Sequence, residues 1–408
     1  MTPLRAVLLA AMLSAPGVPA LAQTTPVPPA PAPVMRDAPV SFGAEVAAVL
    51  GPKDDIAFFN YTDYEHDTMR MVLVRLFGEW RMVRGVSVLG EFRSEDFDTA
   101  DVAALYLRWR PSQRHAFDIQ AGRIPPVIGA FARRAYGRDN PLIAVPLGYQ
   151  YLTSLRPDAL PATVDDLLRM RGRGWQPSYP IGSQTLAPGL PLVATSRWDT
   201  GVQARFRTGW WDFAGAWTRG SPADPVVKET NLKRQWSGRA AVHLPSGLVL
   251  GVSGARAQWP HESVLQLVPS AGRTASTQTI VGADAEFSHG AWLARGEWLR
   301  STFGMPTFAG TPSTPLAAAT AFAEARWRFL PRWYVSGRVD RLTFSPVTGT
   351  LFGGEPTSWD APIHRVDVAL SLRIIKSTEV RAGWQYDWRE GGRVREGSVP
   401  ALQVLWWF

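Results

Sequence analysis

The sequence predicts an all-β protein: a transmembrane antiparallel β-barrel of about 16 strands, with a long loop after strand 5 folded into the lumen. Three observations predict it. From Ser41 onward apolar and polar residues alternate with period two. Most alternating segments come close to the roughly 9 to 11 residues that a tilted membrane strand requires. Short turns also alternate with longer polar connections, the layout of a barrel with one tight rim and one elaborated rim. A soluble sandwich would alternate similarly with its apolar face inward, so length and turn rhythm decide for the barrel.

Composition agrees. Among 408 residues there are 36 Gly, 34 Pro and 18 Trp, a balance that suits strands and turns rather than packed helices. Cys is absent, which excludes disulfides, Cys-ligated zinc and thiol catalysis. The net charge is +8, and with only four lysines it is carried by arginine, whose planar fork suits phosphate and carboxylate. A GC-rich genome would produce the same preference for Arg over Lys.

Residues 1–22 read as a signal peptide, with an apolar run from Ala6 to Leu13 and a small-x-small site at Ala20-Leu21-Ala22. Residues 23–40 form a Pro/Ala-rich periplasmic arm that favours extended, solvated chain. The barrel then occupies 41–408. Its strands are expected at about 41–50, 68–78, 82–95, 101–111, 115–124, 198–208, 210–219, 234–244, 247–258, 278–288, 290–301, 318–330, 332–344, 363–374, 377–389 and 398–408. Each is read from its own alternation. In the fourteenth, for example, Val366, Val368, Leu370, Leu372 and Ile374 interleave with Arg365, Asp367, Ser371 and Arg373.

Short turns fall at Pro111-Ser-Gln-Arg, Thr208-Gly, Pro245-Ser-Gly, His289-Gly290, Pro331-Arg332 and Lys376-Ser377, each followed by a longer connection. Tryptophans gather where strands end, among them Trp109, Trp210, Trp236, Trp259, Trp292, Trp384, Trp406 and Trp407, and predict interfacial girdles.

The chain stops at Pro400-Ala-Leu-Gln-Val-Leu-Trp-Trp-Phe408, a strand with Leu402, Val404, Trp406 and Phe408 on one face. This resembles the terminal signature of Gram-negative outer-membrane barrels. The resemblance implies that Trp406 and Phe408 act as an assembly signal for the barrel-assembly machinery. With sixteen strands, the whole mature chain resembles a porin of the general or phosphate-selective-like families. The strand from Asp118 to Gly129 also resembles the Gly-basic-x-x-Pro segment of phosphate-selective porins, but four scattered lysines supply no counterpart to the lysine-rich anion site of those families.

With apolar residues outward, the lumen wall carries Arg108, Arg110, Arg205, Arg207, Arg326, Arg328, Arg338, Arg365 and Arg381, faced by acids that include Glu45, Asp118, Asp212, Glu297 and Asp340. Cross-strand pairs of opposite charge stabilise such a wall, so selectivity belongs to clusters left unpaired. The connection at 125–197 is the longest, and its apolar residues Leu142, Ile143, Val145, Leu147, Tyr149, Tyr151 and Leu152 predict that it folds inward as a constriction or plug. Its candidate constriction residues are Arg133, Arg134, Arg138, Asp139, Arg156, Asp165, Asp166, Arg169, Arg171 and Arg173. Thr163 is a candidate N-cap for a short helix with Asp165 and Asp166 in its first turn.

The six histidines stand singly, so no metal, cofactor or catalytic site is expected, and a basic pI alone does not make a nucleic-acid binder of an exported chain. The expected function is passive diffusion of small hydrophilic, preferably anionic, solutes, with the lipid bilayer and lipopolysaccharide as surroundings and assembly as a homotrimer left open. The alternatives are a barrel sleeve for another envelope protein and, further off, a barrel enzyme.

Overall fold

The computed structural model describes residues 39–52, 61–63, 66–67, 72–83, 85–111, 116–174, 178–195, 198–226, 234–308, 315–392 and 395–408. The proposed signal peptide, all but the end of the Pro/Ala-rich arm, and residues 112–115 of one expected turn lie outside them.

Sixteen antiparallel strands close into one barrel: β1 Val40–Leu50, β2 Val72–Val83, β3 Val86–Glu95, β4 Thr99–Trp109, β5 Ala116–Ile124, β6 Asp199–Thr208, β7 Trp211–Thr218, β8 Gln235–His243, β9 Leu248–Gln258, β10 Thr277–His289, β11 Trp292–Phe303, β12 Leu316–Leu330, β13 Trp333–Phe344, β14 Ile363–Ile375, β15 Thr378–Arg389 and β16 Glu396–Trp407. Each pairs with its neighbours in the chain, and β1 pairs with β16 to remove both edges. At the seam the Phe408 N–H donates to the Ala44 carbonyl at 3.1 Å, and the Phe408 ring lies 5.7 Å from Phe42 and 5.1 Å from Trp406.

The faces are inverted relative to a soluble protein. Val368 and Trp384 are 40% and 41% exposed, whereas Arg365 and Asp367 on alternate positions are 1% and 4% exposed. Greasy residues therefore face outward and charges inward, which excludes a sandwich with an apolar interior.

Two boundaries differ from expectation. β2 runs on to Val83 and turns at Gly85, not near residue 80. Gly85 has φ +81°, and a Cβ there would strike the Arg110 carbonyl, so this glycine sets the turn. On the opposite rim, β3 and β4 are joined by residues 96–98 alone, because Asp96 and Phe97 adopt positive φ and the Asp96 carboxylate accepts the Val72 N–H at 2.6 Å. Two tryptophans also leave the expected girdles. Trp407 faces the lumen, and Trp259 is fully buried against Phe303, its indole N–H donating to the Gly304 carbonyl at 3.0 Å.

The connection after β5 carries its own apolar core. Leu147, Tyr151, Leu155, Leu160, Leu167 and Leu168 pack with Phe303, Leu316, Leu342, Phe344 and Trp359. Lower down, Ile128, Phe131 and Tyr149 pack with Ile280, Leu299 and Phe322. Inward positions near the outer ends of β10 to β14 are thus apolar because polypeptide, not water, covers them.

Candidate functional site

Charge on the inner wall is unevenly shared. Arg108 and Arg110, at the end of β4, both reach Asp118 on β5, Arg110 at 3.2 Å. Arg205 and Arg207 on β6 both reach Asp212 on β7, at 3.8 and 2.8 Å. Arg239 on β8 pairs with Asp284 on β10 at 2.5 Å. Arg133 from the long connection stands beside Arg205, Arg239 and Asp212. Six guanidinium groups therefore share three carboxylates in this sector. Arg110 and Arg207 keep 53% and 44% of their side chains open to water. Next to it the same two-to-one ratio recurs: Arg75 and Arg93 meet Glu91 at 2.9 and 3.7 Å, with the Tyr136 ring 3.5 Å from Arg75.

From β11 round to β1 carboxylates receive backbone amides. Glu297 on β11 accepts the N–H groups of Ala130 and Phe131 at 2.6 and 3.1 Å, and the Tyr149 hydroxyl donates to the same carboxylate. Glu45 on β1 accepts from Gly137 and Arg138 at 3.1 and 3.3 Å, and Asp340 on β13 accepts from Leu147. Arginines complete the set by donating to carbonyls: Arg338 to Ala144 at 2.7 Å, Arg365 to Val145 at 3.0 Å and Arg295 to Asp139 at 2.9 Å. An irregular backbone away from bulk water needs such partners, and the wall provides both kinds.

The candidate residues of the long connection divide into two groups. Arg133, Arg134, Arg138 and Asp139 belong to the level of Glu297 and Glu45. Arg133 donates through Nε to the Pro126 carbonyl at 2.7 Å and has no carboxylate ion pair among the described residues. Loss of hydration, reinforced by Arg205 and Arg239, lowers its pKa to about 9. Arg134 pairs with Glu286, and burial with the nearby charge of Arg295 lowers its pKa to about 10. Arg138 is exposed, its guanidinium 5.7 Å from the Trp407 ring.

The second group meets the connection between β13 and β14. Thr163 caps the helix Val164–Arg169 in a reciprocal box with Asp166, and Arg169 pairs with Asp166 at 3.1 Å. Asp165 accepts from the Thr350 hydroxyl and from the Leu351 N–H at 3.0 Å; these bonds hold its carboxyl below the ordinary value. Arg171 donates to the Ser358 and Glu390 carbonyls at 3.0 and 2.9 Å, Arg156 is buried on Asp158 at 2.7 Å, and Arg173 is exposed. The contacts do not bring these residues to the Arg133 cluster.

On the wall, Arg338, Arg365 and Arg381 are buried on Asp367, Asp387 and Glu379 at 2.8, 2.7 and 2.8 Å. Arg326 is half-buried 5.4 Å from the Tyr334 ring, and Arg328 is half-buried as well. Sequence reasoning placed Glu45, Glu297 and Asp340 on this wall without seeing them as anchors. A signal was available: the hairpin at Gly290 sets Asp284 opposite Glu297, and two adjacent carboxylates demand donors from elsewhere. Asp360, which accepts from Ser154 at 2.8 Å and Gly172 at 2.7 Å, lies in a connection and carried no such signal.

Comparison with solved structures finds the same fold. The loop-deleted form of OmpT, an outer membrane protein of Vibrio cholerae, aligns at TM-score 0.54 with 9% identity, covering 90% of this chain and 99% of that one. An anion-selective porin from Comamonas acidovorans gives 0.54, 9%, 90% and 99%. OmpF of Salmonella typhi in complex with daunomycin gives 0.54, 8%, 90% and 97%. No protein-family model matches the chain, and no curated protein matches it by sequence. At such identities the shared property is the closed 16-strand porin barrel.

Proposed function

We propose that this chain is a channel of the bacterial outer membrane through which small hydrophilic solutes, anions preferred, diffuse passively. The porin folds of its structural neighbours support the channel, and the anion-selective porin among them is consistent with the preference. The observation that carries the preference is the sector in which Arg108, Arg110, Arg133, Arg205, Arg207 and Arg239 share Asp118, Asp212 and Asp284. Positive charge on low-dielectric walls raises the local concentration of anions and opposes cations, and no bond has to be made or broken. In this reading the connection at 125–197 narrows the lumen from the β10 to β1 side and leaves the arginine sector as the path. The trimer form solved for OmpT of Vibrio cholerae supports assembly as a homotrimer. Purified mature protein in a planar bilayer, under a salt gradient, should give discrete conductance steps with a reversal potential of anion-selective sign. Absence of steps, or a cation-selective sign, overturns the proposal.

A further inference from the structure

On the outer face of the barrel, three arginines stand among apolar residues. Arg256 on β9 lies across from Trp236 and Thr279, Arg300 on β11 across from Val281 and Ala319, and Arg341 on β13 across from Ala321 and His364. All three are exposed, and none has a carboxylate partner among the described ion pairs. Each is eight residues beyond the first residue of its strand, Leu248, Trp292 or Trp333, all of which follow short turns. At about 3.3 Å per residue and a tilt of about 40° this raises them roughly 20 Å above that rim, near the far edge of an apolar band about 25 Å tall. They also form a row. Arg256 pairs with Thr279 and Arg300 with Val281, two residues further along β10; Arg300 pairs with Ala319 and Arg341 with Ala321, two residues further along β12. That stagger compensates the strand tilt and keeps neighbouring guanidinium groups at one level, roughly 12 Å apart by strand and residue spacing.

The surrounding chemistry is one-sided. From β8 to β14 the outward positions hold no Asp or Glu; they are Ala, Gly, Val, Leu, Ile, Thr, Gln, aromatic residues, His and these arginines. At the edge of the apolar band an outward guanidinium reaches the interface, where the groups that can meet it are water and the anionic groups of lipid. We propose that Arg256, Arg300 and Arg341 form a binding belt for the phosphate groups of outer-leaflet lipid, the guanidinium forks taking phosphate oxygens while acyl chains lie on the alanine and valine surface beneath. The inference rests on the outer-membrane placement proposed above, taken with the long connections facing outward and the short turns toward the periplasm, but not on conduction.

The test is native mass spectrometry of the full mature protein in detergent, titrated with diphosphorylated lipid A, against the triple variant R256Q/R300Q/R341Q. Wild type should retain the lipid at concentrations roughly tenfold or more lower than the variant. Phosphatidylcholine should bind both alike, and excess inorganic phosphate should not displace lipid A. The inward variant R110Q/R207Q should bind like wild type, and heat-modifiable mobility of the triple variant should confirm its fold. Equal retention by wild type and triple variant overturns the belt, as does displacement by inorganic phosphate. A loss of oligomer with lipid retention unchanged would assign the row to contact with a second copy and also overturn it. Silent channels with intact lipid discrimination would refute the proposed function alone.

Discussion

Replacing Arg133 by Gln removes a guanidinium that has no carboxylate ion pair among the described residues and stands beside Arg205 and Arg239. A solute ion passing about 6 Å away in a water-filled lumen interacts with one such charge by about 0.7 kcal/mol. Screening over about 10 Å at 0.1 M salt reduces this to about 0.4 kcal/mol. The charge lowers the energy of an anion and raises that of a cation, so the difference is about 0.8 kcal/mol and the anion to cation permeability ratio should fall about fourfold. Reversal potentials in a salt gradient measure it. R133K should keep the ratio, and R169Q should change it little because Arg169 is exposed and paired with Asp166. There is also a pH signature. With a pKa lowered to about 9, Arg133 is charged at neutral pH and loses its proton as pH rises through that value, so the wild-type ratio should fall there toward that of R133Q, which should not change. A folded R133Q channel with the wild-type ratio would refute the assignment of selectivity to this cluster.

Glu297→Ala leaves the Ala130 and Phe131 amides and the Tyr149 hydroxyl without their acceptor; at about 1 to 3 kcal/mol per buried unsatisfied group it should loosen the connection, seen as added single-channel noise and faster proteolysis, whereas Glu297→Gln should do so less. Equal noise in wild type and E297A would show that other contacts hold the segment. Deleting Phe408 removes its backbone bonds to Ala44 and its ring from Phe42 and Trp406, and should reduce heat-modifiable folded protein in the membrane fraction; undiminished yield would count against a terminal assembly signal. Burial raises the Asp360 carboxyl above 3.8, so the folded protein holds this proton more tightly than the unfolded chain does, and acidification toward that ordinary value favours folding at this residue. Relative to D360N, wild type should therefore gain in denaturation midpoint as pH falls from neutral, and a relative loss would contradict the assignment.

The strands were legible because a barrel strand must alternate and must be long enough to cross the apolar band. β14 shows this most simply, since its two faces differ at nearly every position. The β2 boundary was not, because Trp80, Met82, Val86 and Val88 keep period two across the turn as they would within a strand, and only the positive φ at Gly85 marks the reversal. Within the long connection the capped helix was readable from Thr163 and Asp166, a local signal. Its contacts with Thr350 and Leu351 were not, since they join residues nearly two hundred positions apart. Trp259 and Trp407 looked like girdle residues by composition; alternation against Leu402, Val404, Trp406 and Phe408 already turns Trp407 inward, whereas Trp259 lies just past the end of β9, where no alternation shows its burial.

The surplus of arginine and the anchoring of the long connection are two sides of one arrangement. Backbone amides are neutral donors, so a carboxylate that binds them leaves arginine elsewhere uncompensated and keeps its own charge turned into polypeptide. Glu45, Glu297 and Asp340 are used in this way on one side of the barrel. On the other side Asp118 and Asp212 must each serve two arginines. Had every inward carboxylate met one guanidinium, the wall would be screened on all sides and the connection would keep only the hold that Arg295, Arg338 and Arg365 have on its carbonyls. Separating the two tasks by sector lets one half of the wall bind chain while the other keeps a positive field facing the water.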